Sequence, residues 1–191
     1  MRRLLPIIAG LACAAAAIAP AFAYEIDPLT RQPIVAAEGV VPQATAIPRE
    51  IVPFDGRYKA GTILVSTGER RLYYVVGDGT AVRYGVGVGR PGFEWSGSKT
   101  ITMKREWPSW TPPAQMLKRR PDLPRHMAGG PDNPLGARAM YIGGSLYRIH
   151  GSNEPDTIGQ AVSSGCIRML NDDVVDLYDR VKVGSRVVVV R

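Results

Sequence analysis

The chain is poor in the residues that staple small proteins or bind metals. Of its 191 residues, two are cysteine (Cys13 and Cys166) and two are histidine (His126 and His150). Two cysteines cannot build a multi-bridge disulfide framework. A zinc site draws on at least three suitable ligands, and His126, His150 and Cys166 show no ligand spacing, so no metal is expected. No G-x-S-x-G elbow is present, which leaves a serine hydrolase without support. One glycine-rich run exists, Gly85-Val86-Gly87-Val88-Gly89. It leads into Arg90-Pro91-Gly92 rather than a helix, and its apolar residues alternate with glycine as in a tightly packed strand. Nucleotide binding is therefore not expected. There is no internal repeat.

Long hydrophobic runs are equally scarce. Leu4 to Ala19 is mostly apolar, but Pro6 and Pro20 break it and it is short for a spanning helix. Arg2 and Arg3 precede it and Ala21-Phe22-Ala23 follows, so residues 1–23 read as a secretory signal peptide with the mature chain starting near Tyr24. Cys13 after Leu11-Ala12 resembles a lipoprotein cleavage site, but the apolar run continues through Ala23, which does not suit a mature lipoprotein N-terminus. Export places the protein in the periplasm or cell envelope. Acidic residues are the scarcer charge, 17 against 24 basic, for a net +7. The signal peptide holds Arg2 and Arg3 and no acid, so its removal leaves +5 (7 − 2) and Cys166 as the only thiol. No intramolecular disulfide is then possible. Export argues against nucleic acid as the partner of this charge, and anionic wall polymers and peptide carboxylates fit better.

Residues 24–56 carry Pro28, Pro33, Pro42, Pro48 and Pro53 with little periodicity, as in an extended tether or a lead-in draped on a domain. From Arg57 the character changes, and residues 57–191 read as one catalytic domain. Strands are expected at Thr62–Val65, Arg71–Val76, Ala81–Val88, Lys99–Lys104, Ala137–Ile142, Leu146–Ile149 and Ser185–Val190, with a turn at Gly77-Asp78-Gly79. One helix is expected after Asn171 as N-cap. Asp172 and Asp173 lie at its positive end, Val174, Leu177, Tyr178 and Val181 share a face, and Lys182 and Gly184 close it. The strand count implies a mainly β sandwich or barrel with one or two helices. Between Glu106 and Asn133 runs a long segment rich in Trp, Pro and basic residues, with a short helix at Ala114–Arg119. It reads either as a wall of a cleft or as an inert excursion.

The chemistry is concentrated in His150-Gly151-Ser152 and Ser163-Ser164-Gly165-Cys166-Ile167-Arg168. A thiol nucleophile needs a base or imidazolium beside it, because free cysteine is mostly protonated at neutral pH. A lone cysteine is more often a small buried hydrophobe, but the polar setting of Cys166 suits a partly exposed thiolate. Cys166 is the candidate nucleophile and His150 the group that holds it as thiolate and later moves protons. The Gly165 and Cys166 N–H groups are the candidate oxyanion hole.

These segments, with Gly130-Pro131-Asp132-Asn133-Pro134-Leu135-Gly136 and Tyr147-Arg148-Ile149 ahead of His150, resemble the active-site signature of the L,D-transpeptidase catalytic domain, the YkuD-like family. The resemblance covers roughly residues 57–191. One departure is Ser164, where many members carry histidine or arginine. The resemblance implies peptidoglycan tetrapeptide stems as substrate, no metal or organic cofactor, and a thioacyl-enzyme. A second stem, water, or an outer-membrane protein or lipoprotein would resolve that thioester. It further implies that the Gly151 carbonyl orients the imidazole. Ser163 and Arg168 are the candidates for substrate binding. Arg168 shares a face with Cys166 if the segment is extended, and it serves either a donor carboxylate or a structural salt bridge. A non-catalytic wall-binding module is the alternative from a different class.

Overall fold

A computed structural model describes residues 47–55 and 57–191; the expected signal peptide and the lead-in up to residue 46 lie outside them. The chain runs β1 (Glu50–Pro53), β2 (Ile63–Ser66), β3 (Arg71–Gly77), β4 (Thr80–Gly85), β5 (Val88–Gly89), β6 (Gly97–Glu106) and α1 (Ala114–Arg119). It continues with β7 (Arg138–Ile142), β8 (Arg148–His150), a 3-10 turn at Pro155–Thr157, β9 (Ala161–Ser163), β10 (Ile167–Arg168), α2 (Asn171–Arg180) and β11 (Arg186–Val190). The expected mainly β domain with two helices is what forms. Its strands make one nine-stranded sheet in the order β1-β4-β3-β2-β11-β6-β7-β8-β10, with β5 and β9 as a separate pair.

The most continuous apolar runs meet at the middle of the sheet. β2 and β11 pair in parallel, Val187 opposite Ile63 and Val189 opposite Val65. Every residue of β2 is buried, as in a strand covered on both faces. β6 is the seam of the curl: its first residues pair with β11 and its later ones with β7, with a register shift between Ile101 and Met103. Such an irregularity bends a strand and raises its local twist. The sheet thereby wraps a single core that includes Leu72, Tyr84, Ile101, Met140, Ile149, Ile167 and, from α2, Val174 and Leu177.

Three details differ from expectation. The sheet starts before Arg57, because Glu50–Pro53 pairs antiparallel with β4, and Ile47 fills the space left by Gly85 and Gly159. The Pro-rich lead-in thus contributes an edge strand. Asn171 is the first residue of α2 rather than its cap: the cap position is Leu170, which makes no side-chain cap hydrogen bond. Asn171 instead accepts the Ala137 N–H on Oδ1 at 2.9 Å and donates from Nδ2 to the Ser152 carbonyl at 3.1 Å. At the other end, Val181 is the cap residue of α2. Lys104 reaches across from β6 to donate to the Tyr178 and Val181 carbonyls at 2.6 and 2.7 Å, a cation against the negative end of the helix dipole. Buried Tyr84 ties α2 to β4 through a 2.6 Å hydrogen bond to Asp176.

Candidate active site

Two short strands build the site by alternation alone. β8 and β10 run parallel with Ile167 opposite Ile149 and Arg168 opposite His150. Ile149 and Ile167 are 0% and 1% exposed and point into the core. Side chains alternate along a strand, so Arg148 and His150 on β8, and Cys166 and Arg168 at β10, take the opposite face. All four line one cleft of about 360 Å³. The expected shared face of Cys166 and Arg168 follows from the same pairing.

His150 is buried, and its Nδ1 lies 2.5 Å from the Gly151 carbonyl. A carbonyl only accepts, so Nδ1 carries the proton and Nε2 keeps its lone pair. Gly151 is required here because any side chain would run into Asn171 Oδ1. Burial, and then the Arg168 guanidinium, push the imidazole down to about 3 against the pull of the Gly151 carbonyl. Burial therefore favours the neutral ring, the base of the two states the sequence left open for a thiol's partner. Burial likewise pushes the Cys166 thiol up, opposed by Arg148 and Arg168. Cys166 is half-buried and its Sγ lies 3.8 Å from the Leu146 carbonyl.

The nucleophile turn is held from both sides. The Ser163 hydroxyl donates to the Cys166 carbonyl at 2.6 Å and accepts the Gly165 N–H at 3.1 Å. Ser163 lines the cleft, but its hydrogen bonds go into the turn. The Gly165 amide is spent on the same bond. The Cys166 N–H, which donates to no protein group among the described residues, is left as the candidate oxyanion donor. Gly165 sits at φ +103°, and a side chain there would strike Tyr147. Tyr147 stacks on Trp95 with centroids 4.8 Å apart and planes 2° apart, and Trp95 Nε1 donates to the Gly165 carbonyl at 2.8 Å. Trp95 was not singled out in the sequence, where it lies in a stretch with no periodic signal.

Arg168 Nη1 lies 2.6 Å from the Glu154 carboxylate and 3.3 Å from Thr157 Oγ1. It anchors the 3-10 turn while still lining the cleft. The segment between β6 and β7 lines the cleft from the facing side: α1 forms at Ala114–Arg119 and contributes Met116 and Arg119, with Trp110 beside them. Trp107 is exposed and does not line it. Arg90 and Arg119 lie over the Phe93 ring at 4.3 and 5.3 Å. Arg119, Arg148 and Arg168 line the cleft, and among the described residues no acidic side chain does. An anionic ligand suits such a surface.

Comparison with known proteins agrees with this geometry. The family model of the YkuD L,D-transpeptidase catalytic domain matches residues 60–189. The probable L,D-transpeptidase ErfK/SrfK of Escherichia coli K12 is 41% identical over 151 residues, 75% of this chain and 48% of that protein. The probable L,D-transpeptidase YbiS of the same organism is 37% identical over 150 residues, 74% of this chain and 47% of that protein. The chain thus spans about half the length of these curated relatives. Among solved structures, an L,D-transpeptidase from Mycobacterium smegmatis shares the fold at a TM-score of 0.55 and 18% identity, over 68% of this chain and 58% of that one. A probable carnitine operon oxidoreductase from Brucella melitensis is 48% identical, with a TM-score of 0.51, over 75% of this chain and 93% of that one.

Proposed function

We propose, for a chain that belongs to the L,D-transpeptidase catalytic-domain family, that Cys166 is the nucleophile of an acyl transfer on peptidoglycan stem peptides. The observation that carries this reading is the β8–β10 register, which brings His150 and Cys166 to one face of one cleft. The thiol loses its proton to His150 Nε2 as the sulfur attacks the amide carbonyl between the L-centre of diaminopimelate and the terminal D-alanine of a tetrapeptide stem. The Cys166 N–H faces the developing oxyanion. His150 returns the proton to the departing D-alanine amine, leaving a thioester. An amine of a second stem, or a lysine of an envelope protein, then attacks that thioester and gives its proton to the same nitrogen; the C–S bond breaks, and His150 hands that proton to the departing Cys166 sulfur. Export to the periplasm, where such stems are found, belongs to the same reading.

The oxidoreductase name of the Brucella relative finds no dinucleotide fingerprint here. The Gly85–Gly89 run occupies β4 and β5 and opens no helix. The test is product analysis of purified tetrapeptide muropeptides incubated with the protein. Release of D-alanine together with 3-3 dimers, or with a labelled amine acceptor joined to the stem, is the expected result, and both should vanish in Cys166→Ala. D-alanine release with water alone as acceptor would make the protein an L,D-carboxypeptidase. Turnover that survives in Cys166→Ala would remove the cysteine mechanism.

A further inference from the structure

We infer that Arg148 is the electrostatic partner of the Cys166 thiolate, the cation that takes up the negative charge when the sulfur gives its proton to His150. This rests on the reading of Cys166 as the reacting group, and on a strand pairing that gives Arg148 a neighbour the sequence segment around it does not name. The β8–β10 register pairs Arg168 with His150 and Ile167 with Ile149, and carried one residue further back it sets Arg148 beside Cys166. Arg148 Nη1 and Cys166 Sγ both lie on the Leu146 carbonyl, at 3.2 and 3.8 Å. The guanidinium and the sulfur are therefore no further apart than the sum of those two distances.

The other cations that face the thiol are less suited to the task. Arg168 spends its charge on Glu154 at 2.6 Å. Arg119 stands on the opposite wall over Phe93. His150 is kept neutral by burial, and Tyr147 carries no positive charge. Arg148 is in no ion pair among the described residues, and its Nε is buried without a hydrogen-bond partner. Its stem is held over Tyr141 with the guanidinium 5.0 Å from the ring centroid. A guanidinium with no carboxylate partner, its Nε buried and its plane held on Tyr141, is a strong partner for an anion that forms beside it. On ionisation the thiol no longer donates to the Leu146 carbonyl, and the guanidinium gains a thiolate to donate to.

The experiment is the pH dependence of Cys166 alkylation by neutral iodoacetamide, followed at the Cys166 peptide by mass in the full chain so that Cys13 does not contribute. Arg148→Gln should raise the midpoint by about one pH unit, and so slow the reaction roughly tenfold below it. Arg148→Lys, which keeps the charge, should stay closer to the parent than to Arg148→Gln. If Arg148→Gln does not fold, Arg148→Met keeps a stem over Tyr141 and carries the same expectation. An unmoved midpoint overturns the inference, with or without a loss of melting temperature. So does an unchanged midpoint with iodoacetate slowed relative to iodoacetamide in Arg148→Gln but not in the parent, which would instead assign Arg148 to a substrate carboxylate. The measurement reads thiol ionisation whether or not Cys166 turns over substrate, so its failure is distinct from turnover persisting in Cys166→Ala.

Discussion

Replacing Asn171 with alanine should separate what holds the site from what reacts in it. One side chain joins three segments: its Oδ1 takes the Ala137 N–H at the start of β7, and its Nδ2 reaches the Ser152 carbonyl just past His150, at 2.9 and 3.1 Å. Gly136 and Gly151 lie against the same oxygen. Each bond contributes about 1 kcal/mol net, and a buried partner left unpaired adds about 1 kcal/mol or more. The sum is about 2–4 kcal/mol, or a fall in melting temperature on the order of 10 °C for a domain of this size. Alanine is the better helix former, so α2 itself gains a few tenths of a kcal/mol, and the loss belongs to the two bonds. The Ser152 carbonyl is freed next to the Gly151 carbonyl that fixes His150, so turnover should fall by more than the unfolded fraction explains. Asn171→Asp keeps the acceptor, loses the donor and sets a carboxylate against the Ser152 carbonyl, so it should fall between the two. Thermal unfolding and turnover well below the melting transition are the assays. An Asn171→Ala protein that melts within about 2 °C of the parent would refute the bridging role.

Other outcomes follow from the same contacts. The folded-state pKa of His150, about 3, lies below its unfolded value of about 6.5, so the unfolded chain binds the extra proton between those values. That contribution to stability is fully present above about pH 6.5 and is lost as pH falls towards about 3. Melting temperature should therefore fall more steeply over this range in the parent than in His150→Gln, and parallel curves would contradict the buried neutral ring. Trp95→Phe keeps a ring on Tyr147 but removes the N–H that holds the Gly165 carbonyl. It should cost about 1 kcal/mol in stability and lower turnover several-fold; unfolding and turnover curves that superimpose on the parent's would show that the bond does not position the turn.

What the sequence makes legible is what strand and helix periodicity carry. Val187–Val190 and Ile63–Val65 announce central strands by their unbroken β-branched and apolar runs; β2 is buried throughout, whereas β11 alternates buried with half-buried residues. The spacing of Val174, Leu177 and Val181 announces a helix with one buried face, and all three are buried. β1 is hidden for the converse reason. It is an edge strand with exposed residues and a terminal proline, tolerated because only one of its sides is paired, and such a segment reads as tether. Asn171 is misread because an asparagine ahead of two aspartates satisfies the local logic of a cap, while its actual partners lie far away in sequence. Arg148 lies in a segment that resembles the family's approach to the site, but nothing local tells what its side chain meets. Only the pairing of β8 with β10 sets it beside the sulfur.

The protonation states tie these observations together. A thiol and an imidazole that are both desolvated each resist charge, so transfer of the proton between them is resisted in the empty cleft. The thiolate is the form that alkylating agents and oxidants attack, and a thiol held protonated reacts slowly with both. On the mechanism proposed above, proton transfer becomes favourable when the sulfur's new charge passes on at once, into a carbonyl whose oxygen meets the Cys166 N–H, or meets a cation already in place. A neutral base with a fixed tautomer therefore suits this site better than a preformed ion pair, which burial would penalise in the absence of substrate. The backbone carbonyl of Gly151 can fix that tautomer without adding a second charge, whereas a carboxylate in its place would also raise the ring's affinity for a second proton.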